Sequence, residues 1–238
     1  MRLLLSEPHD RSAAWLVAGL SARGMAVETV TSAELLGAKR WEHRLGRTDI
    51  ALEVELADGR SIRSSRLQVV VNRLVAVPLQ LCAVSAEDRE YARQELHAFW
   101  MSWLAGLPCR VLNPPTALGL SGVWLGDAEW ALRASRVGLR TRPVRLSGRP
   151  PGRPADPLGD KAVVLVAAGA VFGPRWAAAV AEPCRALAAD VGADLLEVRL
   201  DRADATSPTD GCFAGATTLP DLRRGGEAIL DHLAQVLA

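Results

Sequence analysis

With 238 residues, a hydrophobic share of 49% and a formal net charge of +1, the chain can bury a sizeable core and carries no global field to recruit nucleic acid or an anionic membrane. Cys82, Cys109, Cys184 and Cys212 lie far apart in apolar surroundings without a Cys-x-x-Cys pair, which reads as buried thiols in a reducing cytoplasm and argues against zinc or a disulfide framework. The apolar run in MRLLLSEPHD is too short for a signal peptide and no run approaches membrane-spanning length, so a cytoplasmic protein is expected.

RLLLS at the start is a short apolar strand, and DRSAAWLVAGLSARG has the spacing of an amphipathic helix closed by Gly24. AVETV supplies a second strand, so the chain opens as β-α-β and an α/β fold with a parallel sheet is expected. IALEVELADGRSIRSSRL alternates about Asp58-Gly59, a hairpin signature, and LQVVVNRL is a buried strand ending at Asn72 and Arg73. Ser85, with Asp88 three residues on, introduces a long helix to Leu107, and CRVLNPP is the next strand, ending at Asn113. DAEWALRASRVGL is a further helix.

The stretch SGRPPGRPADPLGD is rich in Pro and Gly and reads as a loop or linker. Beyond it, KAVVLVAAGAVFG predicts two short strands about Ala168-Gly169, and PRWAAAVAEPCRALAADVG a helix interrupted or kinked at Pro183. DLLEVRLDRA and CFAGAT read as partner strands, and DLRRGGEAILDHLAQVLA as a final helix that Asp221 can cap.

Several strings resemble the ATP-grasp ligases, in particular the branch of glutamate ligases and peptide-modifying enzymes, which join a carboxylate to an amine through an acyl phosphate. They are Asn72-Arg73, then Tyr91-Ala92-Arg93-Gln94-Glu95, then Val111-Leu112-Asn113-Pro114, followed by ALRASRVGLRTRP and a closing strand with Phe213 before Pro220-Asp221-Leu222. The resemblance covers most of the chain. It implies a pre-ATP-grasp-like parallel-sheet domain over 1–146, a Pro/Gly/Arg-rich linker at 147–160 and a truncated ATP-grasp-like α+β region over 161–238.

Departures from that pattern bear on chemistry. The branch holds magnesium with a glutamate and an asparagine on its closing strand, hard oxygen ligands suited to bridging ATP phosphates; those positions fall on Gly215 and Thr217. The interval between Pro143 and Lys161 is too short for the subdomain that contacts the phosphates, and only Lys161 lies nearby. Glu197 and Asp201 share a strand face by their even spacing, but without partners at Gly215 or Thr217 they would make a poor magnesium site.

Asn72, Arg73 and Asn113 fall at carboxyl ends of predicted strands, where open α/β sheets place their crevice, and Arg73 could clamp a carboxylate; equally, the asparagines could satisfy turns while Arg73 pairs with an acid. Seven arginines between Ala131 and Ala155, Arg142 among them, form either an anion-binding surface or a solvated linker. Asp221 and Arg223 are either a ligand contact or a helix cap.

The expectation is a degenerate ATP-grasp-like protein without catalytic residues, metal or cofactor. It would recognise a peptide or carboxylate substrate, or a partner enzyme, in a biosynthetic or peptide-modification pathway. Substrate or partner contacts are expected at Asn72, Arg73, Asn113, Arg142, Asp221 and Arg223. A protein or peptide partner and a homo-oligomer fit this reading; a membrane or nucleic acid does not. The alternative is a small active carboxylate-amine ligase using ATP and magnesium through Glu197, Asp201 and Lys161.

Overall fold

The computed structural model describes residues 1–46, 50–81, 85–144, 161–201 and 211–238. The expected linker at 147–160 lies outside the described residues, as does Cys82. The chain divides into two compact units, residues 1–123 with 237–238, and residues 124–236. Among the described residues no helix is long and apolar enough to cross a membrane.

The first unit begins with β1 (Arg2–Ser6), α1 (Arg11–Ala22), β2 (Glu28–Thr31) and the five-residue α2 (Ser32–Leu36). There follow β3 (Arg40–Leu45), β4 (Ile50–Glu55), β5 (Ser61–Arg63), β6 (Val69–Arg73), α3 (Arg89–Ala105) and β7 (Arg110–Leu112). The strands β2-β1-β6-β7 form a wholly parallel sheet, as β-α-β connections require. A second, antiparallel sheet β3-β4-β5 turns at Gly59, whose φ of 89° suits glycine. Leu3, Leu5 and Val70 of the parallel sheet, Leu52, Val54 and Ile62 of the small sheet and Trp100, Trp103 and Leu104 of α3 share one core.

Two elements of this unit gave no sequence signal of their own. β3 is RWEHRL, charged at most positions, and becomes a strand through pairing with β4 while Trp41 packs edge-on to Phe99 and Trp103. α2 is too short for periodicity, but Thr31 and Glu34 form a capping box that starts it.

The second unit contains α4 (Asp127–Arg136), β8 (Lys161–Ala167), β9 (Ala170–Phe172), α5 (Ala181–Asp190), β10 (Leu195–Asp201), β11 (Cys212–Thr217) and α6 (Gly226–Val236). Its sheet, β11-β10-β8-β9, is antiparallel throughout. Ala168 and Gly169 turn β8 into β9 with φ of 44° and 84°, the two positive values a tight primed turn needs. Along β10 the pleat places Leu196, Val198 and Leu200 on one face with Val164 and Val166 of β8, all buried, and Glu197, Arg199 and Asp201 on the other.

Two expected helices are instead divided. Residues Arg175–Val180 form a 3-10 turn and α5 starts afresh at Ala181, so Pro183 lies in a first turn where its missing N–H leaves no bond unmade. The closing segment likewise starts as a 3-10 turn, Leu222–Gly225, and Gly226 with φ of 58° separates it from α6. Asp221 caps that short turn, through the N–H of Arg223, rather than the final α-helix.

Candidate functional site

Three of the residues singled out in the sequence meet at the carboxyl end of the parallel sheet. Asn72 is fully buried; its Nδ2 donates to the carbonyls of Asn113 at 3.0 Å and Leu120 at 2.7 Å, and its Oδ1 accepts the Leu74 N–H at 3.3 Å. Asn113 is also buried and turns the chain with φ of 56°, a left-handed conformation that asparagine tolerates. Arg73, 5% exposed, grips Asp10 with a fork of Nε to Oδ2 at 2.7 Å and Nη2 to Oδ1 at 3.3 Å.

Asp10 has a second duty, capping α1 by accepting the N–H groups of Ser12 and Ala13 at 2.9 and 3.0 Å. Burial works against its carboxylate, but the Arg73 hydrogen bond and charge, with those two N–H groups, hold its pKa below the ordinary aspartate value. The polar atoms at this end of the sheet are therefore occupied by one another. Beside them, along α1 and the β1–β2 strands, runs a cleft of about 720 Å³ lined by Leu4, Ser6, Glu7, Val17 and Thr29 among others.

The remaining residues lie in the second unit. Arg142 reaches Asp201 at 3.3 Å. Arg223 clasps Asp221 through Nε at 2.7 Å and Nη2 at 2.8 Å, and this hydrogen bond is the main reason the Asp221 pKa falls below the usual range. Asp221 also donates its own N–H to Glu197 Oε2 at 3.1 Å, joining the proline turn to β10. Lys161 stands opposite Asp201 in the β8–β10 register.

In the β10–β11 register, Glu197 stands opposite Thr217 and Arg199 opposite Gly215. Directly opposed residues of an antiparallel pair share a face, so these four side-chain positions form one patch. Gly215 has φ of 140°, and a Cβ built there would stand 3.3 Å from Arg199 Nη2 and 3.7 Å from its Cζ. The guanidinium thus lies against the bare backbone of Gly215. Its Nε is buried without a hydrogen-bond partner, 3.9 Å from Glu197 Oε1. Arg199 was missed in the sequence, although its alternation with Glu197 and Asp201 put it on their face.

These donors do not fit a magnesium ion. Four residues along a strand separate Glu197 and Asp201 by roughly 13 Å, too far to share one cation. Arg199 stands between them, and the opposing strand offers Gly215 and Thr217. Among the described residues no three His, Cys, Asp or Glu side chains gather closely enough to hold a metal.

No family model and no curated protein matches the sequence. Solved structures do match the architecture. The macrocyclase MdnC bound with precursor peptide MdnA, from Microcystis aeruginosa MRC, superposes with a TM-score of 0.73 over 99% of this chain and 98% of that one, at 10% identity.

The chain has an ATP-grasp-like fold, for two solved ATP-grasp ligases match it over nearly its whole length as well.

An ATP-grasp ligase from Chryseobacterium gregarium, associated with a ribosomally made peptide and in complex with ADP, a leader and a core peptide, matches with a TM-score of 0.71, covering 99% of this chain and 96% of that one at 9% identity. The ATP-grasp ligase PsnB, complexed with a minimal precursor, Mg and ADP, matches at 0.65 with 99% and 96% coverage and 14% identity. Each of these solved structures holds a peptide: MdnC its precursor MdnA, PsnB a minimal precursor, and the Chryseobacterium gregarium ligase a leader and core peptide. They also correct the expectation of no cofactor: solved structures of the ATP-grasp fold hold ADP, and in PsnB magnesium, so the cofactors that go with this architecture are ATP and magnesium.

Proposed function

We propose that this chain is a peptide-recognising protein of the ATP-grasp fold that contributes binding rather than ligation to a peptide-modification pathway. The observation that carries this is the Arg199 guanidinium lying against Gly215, on the strand pair where the resembling ligases place magnesium-binding oxygens. A fixed cation there attracts an anion, so the strand pair suits holding an acidic group of a peptide. Peptide as the ligand class is supported by the precursor peptides in the solved neighbours. ATP and magnesium, implied by the same neighbours, are the cofactors to include when the activity is tested.

The test is calorimetric titration with synthetic peptides of the precursors seen in the solved neighbours, MdnA and PsnA2, with Mg-ATP present, followed by an ADP-release assay on the same mixtures. Saturable peptide binding with ADP release at background is expected. Peptide-stimulated ADP release would overturn the non-ligating role, and absence of peptide binding would overturn the recognition role.

A further inference from the structure

We propose that the Arg199–Gly215–Thr217 patch of β10 and β11 is an oxyanion-binding subsite, taking a carboxylate or a phosphate group of the ligand. It deepens the peptide-recognising function proposed above, and rests on it only for the choice of one probe.

The argument starts from what the guanidinium lacks. Two other arginines of the second unit are engaged, Arg142 with Asp201 and Arg223 with Asp221. Arg133 is held by Glu129 and Asp190. Among the described residues, the acid paired with Arg199 is Glu197, at 3.9 Å, within ion-pair range but beyond hydrogen-bond reach. That carboxylate already accepts the Asp221 N–H through its other oxygen. The Arg199 side chain is 41% exposed, so a guanidinium with a fork of N–H donors faces solvent from a rigid strand.

Backbone chemistry keeps it there. Only glycine adopts φ of 140° without strain, and only glycine leaves room for a guanidinium to lie flat, since a Cβ would press on Nη2 at 3.3 Å. The register shift that follows, between Arg199 and Leu200, is a local irregularity of the kind that re-aims a side chain. Thr217, two residues beyond Gly215 on the same face, adds a hydroxyl to the patch. Two oxygens of a carboxylate or of a phosphate group can each accept one N–H of the guanidinium fork.

The test uses the full chain and two probes, sodium tripolyphosphate and an Asp/Glu-rich peptide with an amidated C-terminus, titrated by calorimetry. At least one binds the unmodified protein, and Arg199→Ala weakens it roughly 10- to 100-fold, the loss of a charge-assisted pair. Arg199→Lys recovers only part of the affinity, because an ammonium is a point charge without the fork. Gly215→Ala weakens binding as well, while Arg142→Ala, which removes an equal charge already paired with Asp201, changes it less than about twofold. A phosphate-only response assigns the site to phosphate, and a peptide-only response to carboxylate. Binding of neither probe, binding indifferent to Arg199→Ala, or an equal loss with Arg142→Ala overturns the proposal. ADP release bears on the non-ligating role alone: an Arg199-dependent anion site accompanied by turnover would leave the subsite standing and remove that role.

Discussion

The carboxyl end of the parallel sheet and the β10–β11 face both concentrate polar side chains, but they treat them differently. At the first, Arg73, Asn72 and Asn113 sit buried, and Asp10 half-buried, among partners that satisfy them. At the second, Arg199 rests on glycine with an orphaned Nε and its charge open to solvent. Buried polar groups that answer one another hold a fold together; a half-exposed charged group held only by a loose ion pair on a strand is available to a ligand.

Mutations that open either region test this contrast, and the largest effect belongs to the first. Arg73→Ala leaves the Asp10 carboxylate without its guanidinium at a poorly hydrated helix start, and should lower stability by about 3 kcal/mol in urea unfolding. Asn72→Ala strips donors from the Asn113 and Leu120 carbonyls and an acceptor from the Leu74 N–H, for a loss of about 2 kcal/mol in the same assay.

Acid should separate the two regions further. The Asp10 pKa is lowered by folding, so its stabilisation is complete above the unfolded value near 3.8 and is lost as pH falls through the folded value. Unfolding midpoints measured from pH 6 downward should therefore drop more steeply below about pH 4 in the native protein than in Arg73→Ala. Equal slopes would remove Asp10 as the cause.

Smaller effects are expected in the second unit. Arg223→Ala opens a partly exposed pair with Asp221 and should cost about 0.5 kcal/mol. Arg199→Ala should leave stability unchanged within about 0.5 kcal/mol, since the orphaned Nε goes with the side chain. A loss as large as that of Arg73→Ala would place Arg199 among the structural arginines and erase the contrast.

Much of the fold was legible because it rests on local chemistry. Strand β6 announces itself with three valines before Asn72 and Arg73, and the Ala168-Gly169 turn announces a hairpin. β3 and α2 were silent, one because its charges hide the strand pattern until β4 pairs with it, the other because five residues carry no period. The two divided helices show the same limit. Pro183 signalled an interruption, but where each turn restarts depends on packing that single residues do not encode.

Site residues divide along the same line. By itself the sequence determined that Asn72, Arg73 and Asn113 fall at the ends of strands, because strand pattern and residue type are properties of neighbours in the chain; that Gly215 and Thr217 fall on metal-ligand positions is what the family resemblance implies. Which of these polar groups face each other was decided only in the tertiary structure. Arg73 meets an aspartate 63 residues earlier, Asn72 meets carbonyls 41 and 48 residues later, and Arg199 meets a glycine on the adjacent strand. Hydrogen bonds and ion pairs act over a few ångströms of space, and folding sets those distances independently of separation along the chain.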